Sequence, residues 1–269
     1  MRQPAVAAGG GGTGDQVPVF RGAGVALVTV FGEDGEIDSG STAKLAADLV
    51  ARGMQAVLVA GTTGEASTLT GQERTALIEA VRAALPAGIP VIAGTGAPSV
   101  RQAVALTSAA VAAGADAVLA WPPAGSRNLP GYFGAVAGAA AGRPVLAYHV
   151  PWVSAPGVPV SELATLPIAG VKDSSGDPNR LLDELAHYPG AIYVGSSAVL
   201  ALAGPMGVTG AILALANVEP EACVAAFAGD AAAQRGLAGR HLEVKQGGPA
   251  ALKRILAGSS GLSPVSRIG

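Results

Sequence analysis

The chain has 269 residues, half of them apolar and 13% charged, with a formal net charge of −2. That balance offers no basic block to a phosphate backbone, which excludes nucleic acid as a partner, and no apolar run is long enough for a membrane span. Cys223 is the single cysteine, so an intramolecular disulfide is ruled out; with no apolar leader among the first twenty residues, a cytoplasmic protein is expected.

Residues 1–20, with Gly9 to Gly12 and two prolines, read as a flexible tail, and residues 21–269 as one domain. Ala23 to Val30 is an apolar strand, Glu33-Asp34-Gly35 a turn, and Ser41 to Arg52 a helix. Gln55 to Ala60 forms a second strand that leads into Gly61-Thr62-Thr63-Gly64-Glu65. Thr70 and Glu73 then make a capping box at the head of the next helix. Strands follow at Ile89 to Ala93, Asp116 to Trp121 and Pro144 to His149. Between and after them, helices run from Ser99 to Ala113, Leu129 to Ala141 and Ser161 to Thr165. The apolar run from Ile168 ends at Lys172 and is followed by a helix from Pro178 to Tyr188. Ala191 to Val194 and Thr209 to Leu213 are the last strands, with a short helix near Ala198 to Ala203 between them. Helices at 219–227, 231–244 and 249–256 complete the pattern. Near-continuous apolar strands are buried on both faces and therefore parallel. Eight strand–helix units predict a closed (β/α)8 barrel with additional C-terminal helices packed outside; an open doubly wound sheet is the alternative.

The polar residues at the carboxyl ends of these strands carry the chemistry of such a barrel. Lys44, Lys245 and Lys253 fall in helical patterning, where an ammonium reaches water, but Lys172 closes a buried strand. Burial disfavours the charged form of an amine and leaves a nucleophile for carbonyl carbon; the plainer alternative is a lysine that snorkels or pairs with Asp173. Tyr148 ends strand five, Thr62 and Thr63 follow strand two, Gly195-Ser196-Ser197 follows strand seven and Asn217 follows strand eight. A lysine, a tyrosine and two threonines suit imine chemistry rather than metal-assisted hydrolysis. Hydroxyls and N–H groups around Gly61 to Gly64 suit a carboxylate. His187 and His241 lie in predicted helices away from the strand ends, and His149 is expected on the opposite side of the strand from Tyr148. No histidines stand at metal-ligand spacing, Gly94-Thr95-Gly96 lacks a third glycine and no P-loop is present, so neither metal nor nucleotide cofactor is expected.

Three stretches in order, Gly61-Thr62-Thr63-Gly64-Glu65, Tyr148-His149-Val150-Pro151 and Gly170-Val171-Lys172-Asp173-Ser174-Ser175-Gly176-Asp177, resemble the dihydrodipicolinate synthase / N-acetylneuraminate lyase family. The resemblance runs from about Gly24 to Pro249. It implies a (β/α)8 barrel that forms a Schiff base with pyruvate or a related 2-oxo acid and then makes or breaks an adjacent carbon–carbon bond with an aldehyde. It further implies a homodimer or homotetramer and no cofactor. Lys172 would form the imine, Tyr148 shuttle protons, Thr62 relay them to Tyr148 and Thr63 bind the carboxylate beside Gly61, with Ile212 near the imine carbon. The departures concern the second substrate. Val153 stands where dihydrodipicolinate synthases have a carboxylate-binding arginine, and Ala124 where they lend a tyrosine across an interface, which leaves Tyr132 or a water to complete the relay. Ser196 and Ser197 stand where sialic acid lyases have acidic residues. Trp152 and Val153 therefore suggest a less polar pocket, for a neutral or aromatic aldehyde. A 2-oxo sugar acid dehydratase and a non-catalytic 2-oxo acid binding barrel are the alternatives.

Overall fold

The structure, a computed structural model, describes residues 17–268; residues 1–16, the greater part of the expected tail, lie outside the described residues, as does Gly269. The strands are β1 (Gly22–Ala26), β2 (Val57–Val59), β3 (Val91–Gly94), β4 (Ala117–Ala120), β5 (Val145–His149), β6 (Gly170–Asp173), β7 (Ala191–Val194) and β8 (Gly210–Leu213). They pair in sequence order, all parallel, and β8 closes on β1. The expected (β/α)8 barrel is therefore present. Around it run α1 (Ser39–Ala51), α2 (Gly71–Ala84), α3 (Val100–Ala112), α4 (Leu129–Ala139), α5 (Val160–Leu163), α6 (Pro178–His187), α7 (Leu200–Ala203) and α8 (Pro220–Phe227). Two further helices, α9 (Ala231–Gly236) and α10 (Ala238–Ser260), follow. Among the described residues no helix is long and apolar enough to cross a membrane.

Successive strand residues point to opposite faces, and the barrel sorts them into two cores. Val57, Val59, Val91, Ala93, Val145 and Val171 pack outward against the helices; Leu58, Ile92, Leu119, Leu146, Tyr193 and Ile212 fill the interior. Burial on both faces explains why the strands read as unbroken apolar runs. Phe20 closes the barrel floor. Its ring stacks on Tyr193 at 4.8 Å, and the Tyr193 hydroxyl donates to the Phe20 carbonyl at 3.0 Å. This aromatic pair packs the last residue of the expected tail into the structure.

Some boundaries differ from expectation for local reasons. Leu27 still donates to the Leu58 carbonyl at 2.9 Å, but beyond it the Val28 N–H donates to Asn217 Oδ1 and the Val30 N–H to Thr42 Oγ1, so side chains take the place of a strand partner. Helix α1 begins before Ser41 because the Asp38 carboxylate caps it, accepting from the Ser41 N–H at 2.8 Å. The predicted capping box of α2 is present in both directions between Thr70 and Glu73; such caps contribute about 1 kcal/mol. The two expected C-terminal helices are divided differently. The break falls at Leu237, and the Gly248-Pro249 step becomes a kink inside α10, where Gly248 has φ +55° and Pro249 has no N–H to give.

Lys253 departs furthest from its expected place in water. It is 1% exposed, ion-paired with Glu65, which is 0% exposed, and its Nζ lies 4.0 Å from the centroid of the Phe31 ring. Helical periodicity exposes one face of an isolated helix, but this face of α10 is covered by Leu262–Ile268 and the turn after β2. Removing one partner of such a pair strands a buried charge, at a cost of roughly 3–5 kcal/mol.

The helix layer also depends on close backbone approach. A Cβ built on Gly204, at the end of α7, would lie 1.7 Å from the Phe227 carbonyl oxygen of α8. Gly204→Ala is expected to lower unfolding free energy by about 2 kcal/mol through overpacking, read as a lower urea midpoint at unchanged slope. An unchanged midpoint would show that the two helices part without cost.

Candidate active site

The register of β5 and β6 sets Tyr148 beside Lys172, and the alternation turns both inward. Lys172 is 4% exposed, and its Nζ lies 4.4 Å from the centroid of the Tyr148 ring. An aromatic face attracts a cation while excluding water, so the ring both holds and desolvates the amine. Ser174 Oγ donates to the Tyr148 hydroxyl at 3.2 Å, while the Ser174 N–H is anchored on the His149 carbonyl at 3.1 Å. Gly195, just past β7, leaves the space they need: a Cβ there would lie 2.1 Å from Ser174 Oγ and 3.1 Å from Lys172 Cε.

A cavity of about 460 Å³ opens above this pair, bounded by Thr62, Thr63, Trp152 and Ile212. The Gly61 carbonyl accepts the Gly64 and Ala66 N–H groups at 3.0 and 3.2 Å, which bends the chain sharply after β2. The Thr62 and Thr63 N–H groups have no hydrogen-bond partner among the described residues. Unpaired backbone N–H groups on such a turn suit an anion. The hydroxyl bonded directly to Tyr148 is that of Ser174, whereas Thr62 shares the cavity wall with Tyr148 without such a bond.

Trp152 and Val153, expected together, are separated. Trp152 is 65% exposed at this mouth, while Val153 and Gly61 line a second cavity of about 660 Å³ on the other side of Tyr148. The Val153 and Ser154 N–H groups both donate to the Val150 carbonyl, and this turn sends adjacent side chains apart. Ala124 is exposed in the loop after β4. Tyr132 does not replace the missing tyrosine: it is 2% exposed, and its hydroxyl donates to the Trp121 carbonyl at 2.7 Å.

The mouth is also more polar than Trp152 and Val153 suggest. Ser175, Ser196 and Ser197 edge it, and α10 brings His241 and Lys245 to its rim. His241 was expected away from the strand ends; it sits here because α10 packs across the segments that follow β7 and β8. Its Nδ1 lies 2.8 Å from Ser197 Oγ, and burial, aided by the Lys245 charge, lowers its pKa, which favours the neutral ring. Helical patterning gave its local structure but not what the helix covers. Asn217 plays a supporting part: its amide donates to the Ala26 and Ala214 carbonyls and its oxygen accepts from the Val28 N–H.

His149 faces outward, as expected, behind Tyr148 and Lys172. Its Nδ1 accepts the Val158 N–H at 3.1 Å, and burial, then the Arg180 charge, lowers its pKa. Asp173 accepts the Ser175 N–H and hydroxyl, both at 2.8 Å, with Arg180 at 3.6 Å. Arg180 also approaches Glu184 at 2.9 Å. Glu184 has no exposed side-chain surface and makes no well-aligned hydrogen bond, and burial, with the Asp173 charge adding to it, pushes its pKa up to about 7. Among the described residues, no group of three or more His, Cys, Asp and Glu side chains is arranged to hold a metal ion.

A model of the dihydrodipicolinate synthetase family matches residues 19–245. The 4-hydroxy-tetrahydrodipicolinate synthases of Nitrosospira multiformis and Pseudomonas aeruginosa are each 39% identical to this chain. The first alignment covers 80% of this chain and 76% of that protein, the second 81% and 80%. A crystal structure of the chloride-inhibited dihydrodipicolinate synthase from Acinetobacter baumannii, complexed with pyruvate, matches with a TM-score of 0.82 at 29% identity. That match covers 93% of this chain and 94% of the other.

Glu184 makes stability depend on pH. Its folded pKa of about 7 exceeds the ordinary 4.5, so the folded state holds a proton that the unfolded state releases first. The stabilisation is complete below the unfolded pKa and is lost as pH rises through 7. Urea titrations of the protein and of Glu184→Gln should therefore diverge between pH 5 and 8, with the variant gaining on the order of 2 kcal/mol relative to the unsubstituted chain. A pH-independent difference would show that Glu184 is charged throughout.

Proposed function

The chain belongs to the dihydrodipicolinate synthetase family, and from that premise we propose that Lys172 forms a Schiff base with pyruvate or a close 2-oxo acid. Membership makes the protein an enzyme of the class I lyase or aldolase type. The observation that carries the assignment of Lys172 is its burial at the barrel mouth, with its amine 4.4 Å from the centre of the Tyr148 ring.

In the proposed sequence the Lys172 amine adds to the 2-oxo carbon. Tyr148 delivers a proton to the oxygen of the carbinolamine, and water leaves to give an iminium. A proton lost from the adjacent carbon gives an enamine, an electron-rich carbon that attacks the aldehyde. The alkoxide so formed takes a proton from Tyr148, and water hydrolyses the product iminium to free Lys172. Cleavage is the same sequence reversed. Proton transfers of this kind need a donor within hydrogen-bond reach and a route for its reprotonation. The Ser174 hydroxyl beside Tyr148 supplies the start of that route, with Thr62 on the same wall as its continuation toward water. The carboxylate of the 2-oxo acid would lie on the open N–H groups and hydroxyls of Thr62 and Thr63, and Ile212 would face the substituents of the imine carbon.

For the aldehyde, Val153 supplies no charge for a carboxylate, and Trp152 with Ser175 and Ser196 forms the recognition surface. A neutral aldehyde, hydroxylated or aromatic, fits that surface. Assembly as a homodimer or homotetramer belongs to the same proposal.

Incubation with pyruvate, reduction by borohydride and mass spectrometry of the digest should give an adduct confined to the Lys172 peptide and absent from Lys172→Ala. No adduct with any of a panel of 2-oxo acids would remove the Schiff-base reading. Tyr148→Phe should still bind pyruvate but turn over about 10² to 10⁴ times more slowly, the usual contribution of a positioned proton carrier. Ser174→Ala should have a smaller effect in the same direction, measured as kcat with any accepted aldehyde.

A further inference from the structure

We infer that Glu65 and Lys253 are positioning residues for the 2-oxo acid, holding the Gly61–Gly64 turn in the shape that presents Thr62 and Thr63 to its carboxylate; the inference rests on the site assignment above. Neither residue touches the cavity around Lys172, so any effect on binding passes through the turn.

Glu65 ends that turn in the left-handed region, at φ +55°, a conformation that residues with a side chain hold only when their surroundings impose it. Its backbone N–H donates to the Thr62 carbonyl at 3.1 Å, while the adjoining Gly64 carbonyl accepts from Thr29 Oγ1 at 2.8 Å. The side chain is saturated by residues far along the chain. Oε1 takes the Lys253 ammonium, and Oε2 accepts the Ser266 hydroxyl at 3.0 Å and the Arg267 and Ile268 N–H groups at 2.8 and 3.1 Å. Lys253 in turn donates to the Val265 carbonyl at 2.9 Å. Arg267 extends the grip beyond the turn, donating to the Thr68 carbonyl at 3.1 Å and to Glu73 at 2.5 Å, with its guanidinium 4.5 Å from the centre of the Phe31 ring.

The segment Leu262–Ile268 is thus a strap that reaches the carboxylate-binding turn through Glu65. An apolar contact would cover the same surface without dictating one backbone shape. An ion pair with every oxygen committed permits few alternatives, and Thr62 precedes Glu65 by a single hydrogen-bonded turn. Loss of the tie should leave the reactive pair of β5 and β6 in place and blur the position of the two threonine N–H groups.

The test is the pyruvate concentration that half-saturates borohydride trapping at Lys172, measured on the full chain. Lys253→Met should raise it by about tenfold, and Arg267→Met, on the partly exposed strap, by roughly threefold, with the adduct at saturating pyruvate unchanged in both. Half-saturation unmoved in both variants, whatever their thermal midpoints, would overturn the inference and leave the tie as a stabilising contact only. Where Lys253→Met fails to fold, the Arg267→Met shift decides alone. An unsubstituted protein that traps no pyruvate overturns the Schiff-base reading and this inference together, whereas normal trapping without a shift overturns only the inference.

Discussion

A closed parallel sheet leaves its residues only two directions, and the rest of this molecule follows from that restriction. The β5–β6 register pairs Tyr148 with Lys172 and His149 with Asp173. Once Val171 is committed to the outer core, Lys172 must point inward and Asp173 outward. A slip of one residue would exchange the faces, placing the amine among the helices and the carboxylate in the cavity. Closure forbids the slip because every strand is held on both sides. Tyr148 and Lys172 are therefore positioned by the hydrogen bonding of the whole barrel rather than by their own contacts.

The outward residues form the other half of the same arrangement. Asp173, Arg180, Glu184 and His149 gather between the sheet and α6, where water does not reach Glu184. A low-dielectric site of this kind amplifies any unpaired charge, and one guanidinium stands between two carboxylates there. The cluster is a rigid polar backing to the strand that carries the amine. Next to the turn that follows β2, Glu65 pairs with Lys253 of α10 and Glu73 with Arg267 of the segment behind it. The turn that leads to Thr62 and Thr63 is thus packed against residues from the far end of the sequence.

What could be read from the sequence was whatever depends on neighbours in the chain. Strands buried on both faces announce themselves as apolar runs, the Thr70–Glu73 capping box is local, and a lysine ending an apolar run is visible as an anomaly. Lys172, Tyr148, Thr62 and Thr63 could be placed at the barrel mouth on those grounds. Contacts made across the fold were not legible. The pattern of α10 describes an amphipathic helix but not the segment that covers Lys253 or the mouth that receives His241. Trp152 and Val153 are adjacent letters, and only the hydrogen bonds to the Val150 carbonyl reveal that they face different cavities. Ser174 lay within the lysine motif, yet its bond to Tyr148 depends on the missing side chain at Gly195.

The aromatic floor made by Phe20 and Tyr193 has a bearing on traffic. With apolar side chains packed beneath Lys172, nothing reaches the amine through the floor, and a ligand comes to it from the mouth side. On the proposed reading the 2-oxo acid binds deepest, and a molecule resting against Trp152 and Ser196 would stand between it and water. A site used in that way would favour one order of arrival by obstruction, and an excess of the outer reactant would act on it as a cork.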